Sequence, residues 1–279
     1  MPFTSRLHGL RVFDEHTANR LVDQSLAAAG GGFFSGYKPR DFAAAPFGTY
    51  SDPFALDLIP RNEWAERAEA LDASKATAEH VAMYYKVPIL NQRTLPYCWC
   101  YGVVGAMATA YAQAGLPVGY LSATSAAAKI KNYVKVGGWA GEAIEGIQRF
   151  GVSLVEHWPE AVLDRRYDTP EQRENAALHK AVEFEELPSQ SFDAVATALL
   201  SGFPVTLGLA WWGHLVYATR LVVLGRNQFG VIIRNSWGPE WETNGTAVLV
   251  ESRATPHEAF TIRSVTKYQT QYQTQVQAA

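Results

Sequence analysis

The chain has 279 residues, which suits one large domain or two lobes that share a single interface. Its 24 lysine and arginine residues and 27 aspartate and glutamate residues give a formal net charge of −3, which excludes the strongly basic surface that nucleic acids and anionic membranes attract. Hydrophobic residues make up 48% of the sequence and charged residues 18%, so a sizeable core can form and general disorder is excluded. The two cysteines, Cys98 and Cys100, are too close in sequence for a stabilising disulfide, so the fold must rest on packing.

The N-terminal residues show no secretory signal, because Arg6, Arg11 and Asp14 interrupt any apolar run. The longest uncharged stretch, residues 94–128, is broken at Gly115, and its helical part is short for a bilayer span. We therefore expect no nucleic-acid partner and no membrane contact. The absence of structural disulfides favours a cytoplasmic protein or a component of an assembled particle, such as a virus.

The first predicted segment, residues 1–55, is rich in glycine, alanine and aromatic residues. Chain-breaking pairs at Lys38-Pro39 and Asp52-Pro53 interrupt it. This composition predicts an extended arm that wraps another surface, with a short helix over residues 16–29. A single two-lobed domain is predicted at residues 56–263, and residues 264–279 form a glutamine-rich, low-complexity tail, predicted to be solvated or prone to β-structure.

Within residues 56–263, helices and strands follow in separate blocks. Helix-forming composition dominates up to about residue 187, and alternating or continuous apolar runs indicate strands from about residue 188. The predicted helices span residues 62–85, 98–115, 121–131, 141–150 and 192–200, and the predicted strands span residues 204–212, 217–225, 229–237 and 246–251. Helices first and antiparallel strands second predict an α+β fold, with a helical lobe and a β lobe that meet at a cleft.

Cys98 stands at the predicted start of the central helix. The unpaired backbone N–H groups and the positive end of the helix dipole favour a thiolate at such a position. Taken alone, a cysteine on an apolar helix is more often an inert core residue than a nucleophile.

Three further residues favour the interpretation of Cys98 as a nucleophile. Gln92 lies six residues before Cys98 in a loop, where its amide could turn back beside the Cys98 N–H and form an oxyanion hole. His214 directly precedes a strand-like run, and Asn235 follows 21 residues later at the end of the next one. Adjacent antiparallel strands would bring His214 and Asn235 together, so that the asparagine could orient the imidazole.

Several segments in this order resemble the papain family of cysteine peptidases. The Gln92 to Cys98 segment resembles the family signature around the nucleophile, and the segment after Asn235 resembles its Asn-Ser-Trp-Gly motif. The resemblance covers roughly residues 58–250 and is carried by VPILNQRTLPYCWCYG, GYLSATS, VGGWAGEAIEGIQRFGVSLVEHWPEA and IIRNSWGPEWETNGTAVL. It implies a two-lobed papain-like fold.

The resemblance also implies catalytic roles. Cys98 would be the nucleophile and His214 its general base and acid. Asn235 would orient the imidazole, and Gln92 would donate a hydrogen bond to the oxyanion. No cofactor is implied, and the other histidines have no cysteine or histidine at the spacing of a zinc or haem ligand.

Substrate-binding roles follow from the same resemblance. Gly137 and Gly138 would offer backbone groups to an extended peptide, which would pair with them like an added strand. The alternative interpretation of this pair is an ordinary turn. Trp237 would shield the hydrogen bond between His214 and Asn235 from water.

The sequence also departs from the family pattern. Leu95 stands where a disulfide partner would precede the nucleophile, Cys100 replaces a small residue, and Glu242 replaces a glycine. The stretch from residue 204 to His214 is short, which indicates a trimmed cleft wall. The arm shows no clear inhibitory propeptide pattern, so the sequence does not support a zymogen.

The leading hypothesis is therefore a papain-like cysteine peptidase that hydrolyses a polypeptide substrate through an acyl-enzyme. Compact, disulfide-free relatives of the papain core resemble bacterial and tailed-phage proteins, so the alternative is a structural or binding component of a larger assembly, such as a phage virion. A third possibility is a cell-wall amidase with Cys and His on a related fold, although such proteins usually lack an Asn-Ser-Trp-Gly segment. We also expect the arm and the tail to contact partner subunits.

Overall fold

The computed structural model describes residues 9–28 and 36–265. In these ranges the helices are α1 (Asn19–Ala28), α2 (Trp64–Ala73), α3 (Ala78–Tyr84), α4 (Cys98–Gln113), α5 (Ala123–Ile130), α6 (Ala140–Phe150), α7 (Pro170–Ala177), α8 (Phe192–Leu200) and α9 (Glu251–Ala254). The strands are β1 (Val12–Phe13), β2 (Asp52–Pro53), β3 (Ala181–Leu187), β4 (Val205–Leu209), β5 (His214–Gly225), β6 (Gln228–Arg234), β7 (Thr246–Val250) and β8 (Glu258–Val265).

The described strands form an eight-stranded sheet in the order β1-β7-β6-β5-β4-β8-β3-β2. From β7 to β3 every neighbouring pair is antiparallel, and only the two-residue edge strands β1 and β2 pair in parallel within the described sheet. The predicted α+β class, with helices first and antiparallel strands second, is confirmed.

The central helix α4 lies in the core between the other helices and the sheet. It is apolar on all sides, and 15 of its 16 residues are buried. It approaches β5 closely because Gly102 has no side chain: a Cβ there would lie 2.3 Å from Leu215 Cδ2. The N-terminus of α4 and the beginning of β5 therefore lie side by side. No helix in the described ranges is long and apolar enough to cross a membrane.

The single helix predicted over residues 62–85 is two helices, α2 and α3. Between them Lys75 has a φ of 55°, in the left-handed region. Thr77 caps α3, since its Oγ1 accepts a hydrogen bond from the His80 N–H at 3.1 Å. Serine and threonine compete with helical hydrogen bonds in this way, which explains the break.

Three substantial elements were missed by the sequence interpretation: α7, β3 and β8. The helix α7 had a local signal, because Thr169 caps it and Pro170 occupies its first turn. The strands β3 and β8 pair with each other but carry charged residues that obscure the apolar pattern. Because β8 runs to Val265, it extends past the predicted domain limit, and most of the predicted tail lies outside the described residues.

The described parts of the predicted arm lie on this chain's own domain. Phe13 in β1 is fully buried, and β1 pairs with β7. The buried Trp212 indole donates to the Leu21 carbonyl in α1 at 3.0 Å. At the other end β2 pairs with β3. Over residues 9–28 and 36–55, the surface that the arm wraps therefore belongs to the same molecule.

Candidate active site

Cys98 is the first residue of α4, and its sulfur lies against the beginning of β5. Backbone N–H groups of Leu215, Trp99 and Tyr37 form hydrogen bonds to it. Cys98 is fully buried, and this burial raises the pKa of its thiol to about 12, although the hydrogen bonds act to lower it. The expectation of a thiolate at this helix N-terminus is therefore wrong for the molecule in this state.

His214 and Asn235 are paired as predicted from adjacent strands. His214 begins β5, and Asn235 follows the last residue of the antiparallel strand β6. His214 Nε2 lies 2.7 Å from Asn235 Oδ1, and both residues are buried. Since an amide oxygen only accepts, His214 Nε2 carries the proton of this hydrogen bond. This hydrogen bond fixes the plane of the imidazole ring at the beginning of β5, where the Leu215 N–H lies next to the sulfur of Cys98.

Two tryptophans enclose the imidazole of His214. The ring centroids of Trp212 and Trp237 lie 4.6 Å and 4.9 Å from that of His214. Trp241 packs edge-on against Trp237 at 5.9 Å. These rings keep water away from the hydrogen bond between His214 and Asn235, which strengthens it because the local dielectric constant is low.

Gln92 is held next to the histidine–asparagine pair. Its Oε1 accepts a hydrogen bond from Ser236 Oγ at 2.6 Å, and its backbone N–H donates to the Ser236 carbonyl at 2.8 Å. Its Nε2 donates to the Leu95 carbonyl at 2.8 Å. Because Ser236 follows Asn235 directly, these bonds tie the loop before α4 to the strand end that orients the imidazole.

The glycine pair binds an extended segment of the chain itself. We call this segment, residues 36–38, the strap. The Gly138 N–H donates to the Gly36 carbonyl at 2.9 Å, and the Lys38 N–H donates to the Gly138 carbonyl at 2.8 Å. Tyr37 is thereby bridged to Gly138 in parallel, and its N–H donates to the Gly213 carbonyl at 3.1 Å. Gly137 lies against Gly36, with no room for a Cβ between them.

The side chain of Tyr37 fills a pocket beside the strap. Tyr37 is 5% exposed, and its hydroxyl lies next to the carboxyl group of Glu258. The pocket exists because position 208 is glycine: a Cβ there would lie 2.5 Å from the Tyr37 hydroxyl. Glu258 Oε1 accepts from the Ala140 N–H at 2.7 Å, and burial raises the pKa of the carboxyl group to about 7.

The sequence interpretation did not find Tyr37 or Glu258. The glycine and the Lys-Pro pair around Tyr37 indicated extended chain, but no local pattern indicated its contact. Glu258 reaches the pocket through the pairing of β8 with β4. Within the described ranges, no group of three or more His, Cys, Asp or Glu side chains is arranged to hold a metal ion.

No protein-family model and no curated protein matches the chain. Solved structures do match. Xylellain, a cysteine protease from Xylella fastidiosa, has a TM-score of 0.52 at 17% identity over 64% of this chain and 83% of its own. Digestive procathepsin L 3 of Tenebrio molitor has a TM-score of 0.57 at 17% identity over 88% and 90%. Bromelain from Ananas comosus has a TM-score of 0.53 at 19% identity over 64% and 94%.

The chain has the papain fold. The resemblance to papain-like cysteine proteases drawn from the sequence motifs is thus confirmed at the level of structure. The alternative of a phage component gains no support from these comparisons.

The sequence departures have clear places in this papain fold. Cys100 is buried and its sulfur lies 3.5 Å from the Ala123 carbonyl, so it packs in the core behind Cys98. Leu95, which stands at the position where the resemblance places a disulfide cysteine, is buried in the core. Glu242 adopts a φ of 45°, the left-handed conformation that favours glycine, and its carboxylate pairs with Arg11 at 3.0 Å. The short link between β4 and β5, residues 210–213, ends at the carbonyl that holds the strap.

Proposed function

We propose that the protein is a cysteine peptidase that hydrolyses peptide bonds through a Cys98–His214–Asn235 acyl-enzyme mechanism. The observation that carries this proposal is the 2.7 Å hydrogen bond between His214 and Asn235, in a buried cluster beside a cysteine at a helix N-terminus. The papain fold shared with solved cysteine proteases supports it.

In the proposed reaction His214 takes the proton from the Cys98 sulfur, and the thiolate attacks the peptide carbonyl carbon. The negative charge that develops on the carbonyl oxygen is stabilised by the Cys98 N–H and the Gln92 amide. The C–N bond then breaks, the amine leaves with the proton from His214, and a thioester remains. His214 next takes a proton from water, the hydroxide attacks the thioester, and the acid leaves as the Cys98 thiol re-forms.

Asn235 acts on this sequence through His214. Its Oδ1 accepts a hydrogen bond from the Nε2–H group, which holds the ring and stabilises the imidazolium formed when Cys98 is deprotonated. A polypeptide substrate would pair with the backbone of Gly138, as the strap does.

The test compares two cysteines of one helix. Cys98→Ala should abolish turnover of a denatured protein substrate, while Cys100→Ala, two residues along α4 and equally buried, should retain it. Both variants should show the same cooperative unfolding, monitored by circular dichroism. An electrophilic epoxide inhibitor should modify Cys98, as mapped by mass spectrometry. Undiminished turnover in Cys98→Ala would exclude the mechanism.

A further inference from the structure

The loop that carries Gln92 is held from two sides. On one side it pairs with residues 236–238 through two main-chain hydrogen bonds of 2.8 Å and 3.0 Å, made by the residues before and after Asn91. Asn91 itself is bridged to Trp237 in this antiparallel pairing. Because alternate N–H groups of an extended segment point to opposite sides, the Asn91 N–H faces away from residues 236–238.

Glu160 occupies this other side of the loop. Its Oε1 accepts a hydrogen bond from the Asn91 N–H at 3.0 Å, although the two residues are 69 positions apart in sequence. Its Oε2 accepts a hydrogen bond from the hydroxyl of Tyr120, which also lies 3.5 Å from the Ile89 carbonyl oxygen. The carboxyl group of Glu160 therefore ties the loop to the helical lobe, while residues 236–238 tie it to the β lobe.

The conformation of the loop depends on such contacts. Arg93 has a φ of 49°, in the left-handed region, and a residue with a side chain keeps this conformation only where its surroundings enforce it. Asn91 Oδ1 accepts a hydrogen bond from the Arg93 N–H at 2.9 Å, which turns the chain directly after Gln92. Gly238 packs closely against the same asparagine, since a Cβ there would lie 2.6 Å from Asn91 Nδ2. A shift of Asn91 would therefore move Gln92 with it.

We propose that Glu160 is a positioning residue for the oxyanion donor: its carboxylate fixes the Asn91 N–H and, through it, the place of Gln92 beside Cys98. This role rests on the proposed function, because the place of Gln92 affects turnover only if an oxyanion forms. A carboxylate is suited to the role, since hydrogen bonds to a charged acceptor are about twice as strong as those between neutral groups. Glu160 acts through the backbone of the loop and is not itself a catalytic residue.

The charge of Glu160 changes near neutral pH. Burial raises the pKa of its carboxyl group to about 7, although hydrogen bonds from Tyr120 and Asn91 and the charge of Arg93 act to lower it. Within the described ranges, the titratable and charged groups that face it are Tyr120, Tyr101 of α4 and Arg93. A protonated carboxyl group is a weaker acceptor than a carboxylate, so the bond to Asn91 weakens as the pH falls through 7.

The kinetic test is a double-mutant cycle with Gln92. At pH 8.5, Glu160→Ala should lower kcat about tenfold, because the donor is displaced but not removed. In the Gln92→Ala background the same substitution should cause no further loss, since Glu160 acts through Gln92. The matched control is Asp168→Ala, which removes another carboxylate that accepts from a tyrosine hydroxyl of the helical lobe at 3.0 Å and should leave kcat unchanged.

Glu160→Gln separates the charge of the side chain from its shape. The amide oxygen still accepts from the Asn91 N–H, so this variant resembles the protonated carboxyl group and keeps the packing if Glu160→Ala does not fold. The ratio of wild-type kcat to Glu160→Gln kcat should be close to one at pH 5.5 and rise to about fivefold at pH 8.5, where the charged acceptor makes the stronger bond. A residue with a merely structural role would give the same ratio at both pH values.

Amide hydrogen exchange of the full chain, measured by mass spectrometry, tests the loop without any substrate. Residues 89–95 should exchange faster in Glu160→Ala than in the wild type, and at the wild-type rate in Asp168→Ala. Three outcomes would overturn the proposal: unchanged exchange in Glu160→Ala, a loss of kcat that multiplies in full with that of Gln92→Ala, or a wild-type to Glu160→Gln ratio that is equal at both pH values. Faster exchange in a protein that hydrolyses no peptide would instead overturn the peptidase function and leave Glu160 as the support of the loop.

Discussion

Among single residues, the four proposed to act on substrate differ in how directly they take part. Cys98 forms and breaks the bond to the substrate and His214 transfers the protons, whereas Asn235 acts through the imidazole and Gln92 through one hydrogen bond. Asn235 Oδ1 also accepts from the Ser236 N–H at 2.7 Å, so its position is fixed by its own strand end.

We predict graded losses of kcat in these residues. Gln92→Ala should lower kcat by about 10²-fold, the scale of one oxyanion donor. Asn235→Ala should retain measurable turnover, because His214 remains between the two tryptophans. Steady-state kinetics on one peptide give kcat for both variants. Ser236→Ala removes the hydroxyl that donates to Gln92 Oε1, so its kcat shows how much depends on the position of the Gln92 side chain. Wild-type kcat in Gln92→Ala would contradict the oxyanion assignment.

The residues of the candidate site that the sequence predicts are those with a local signal. Cys98 and Gln92 share one loop and helix start, and His214 and Asn235 mark the ends of consecutive strands. Tyr37 and Glu258 have no such signal, because they meet only through the path of the arm and the pairing of β8 with β4. The pKa of Cys98 was predicted in the wrong direction for the same reason: the helix terminus is visible in the sequence, and the covering strap is not.

Among the strands, those predicted from the sequence differ from those missed in their pattern: the predicted strands contain long apolar runs, and the missed ones carry several charged residues. The helix α4 and strands β4 to β7 contain long apolar runs, and their predicted positions agree with the structure to within a few residues. The strands β3 and β8 carry buried Glu186 and Glu258, which are tolerated because Arg40 lies nearby. Such strands are difficult to recognise from the sequence, since a charged residue in an apolar run normally indicates exposure.

The strand β8 should make stability depend on pH. Burial holds the pKa of Glu258 near 7, above its ordinary value of 4.5, with Arg40 acting against this and Glu186 adding to it. Its contribution to stability is therefore fully present below pH 4.5 and is lost as the pH rises through 7. The loss is on the order of 1–3 kcal/mol.

Glu258→Gln keeps the shape of the side chain and removes its titratable carboxyl group. Urea unfolding at pH 5 and pH 8 should show a smaller difference in the free energy of unfolding for Glu258→Gln than for the wild type. Glu185→Gln, which changes the half-buried partner of Arg263 on the neighbouring strand β3, is the matched control and should follow the wild type. Equal differences in all three proteins would contradict a buried, neutral Glu258.

For the whole molecule, the described parts of the N-terminal segment, residues 9–28 and 36–55, belong to the fold. Leu21 in α1 is fully buried in the cluster that contains Trp212, which in turn packs against His214. The arm thus supports the site from behind at residues 9–28 and covers it from the front at the strap. The contacts of the tail with partner subunits stay a prediction, as does the cellular location.

Leu21→Ala should lower the free energy of unfolding by about 2–5 kcal/mol, as expected for a leucine removed from a packed core. Leu178→Ala is the control, because Leu178 is 46% exposed and its truncation should change the stability little. Chemical denaturation of both variants checks this. A Leu21→Ala protein as stable as the wild type would show that the arm does not belong to the core.

The occupied cleft also has a consequence for how ligand affinities are read. If only a fraction f of molecules has the strap out at any moment, every peptide binds with an apparent Kd equal to its intrinsic Kd divided by f. The factor is common to all ligands, so it lowers each affinity without changing their ranking. A substitution that strengthened the contacts of the strap with Gly138 and Gly213 would weaken the binding of every peptide by the same ratio and leave the preference between peptides unchanged.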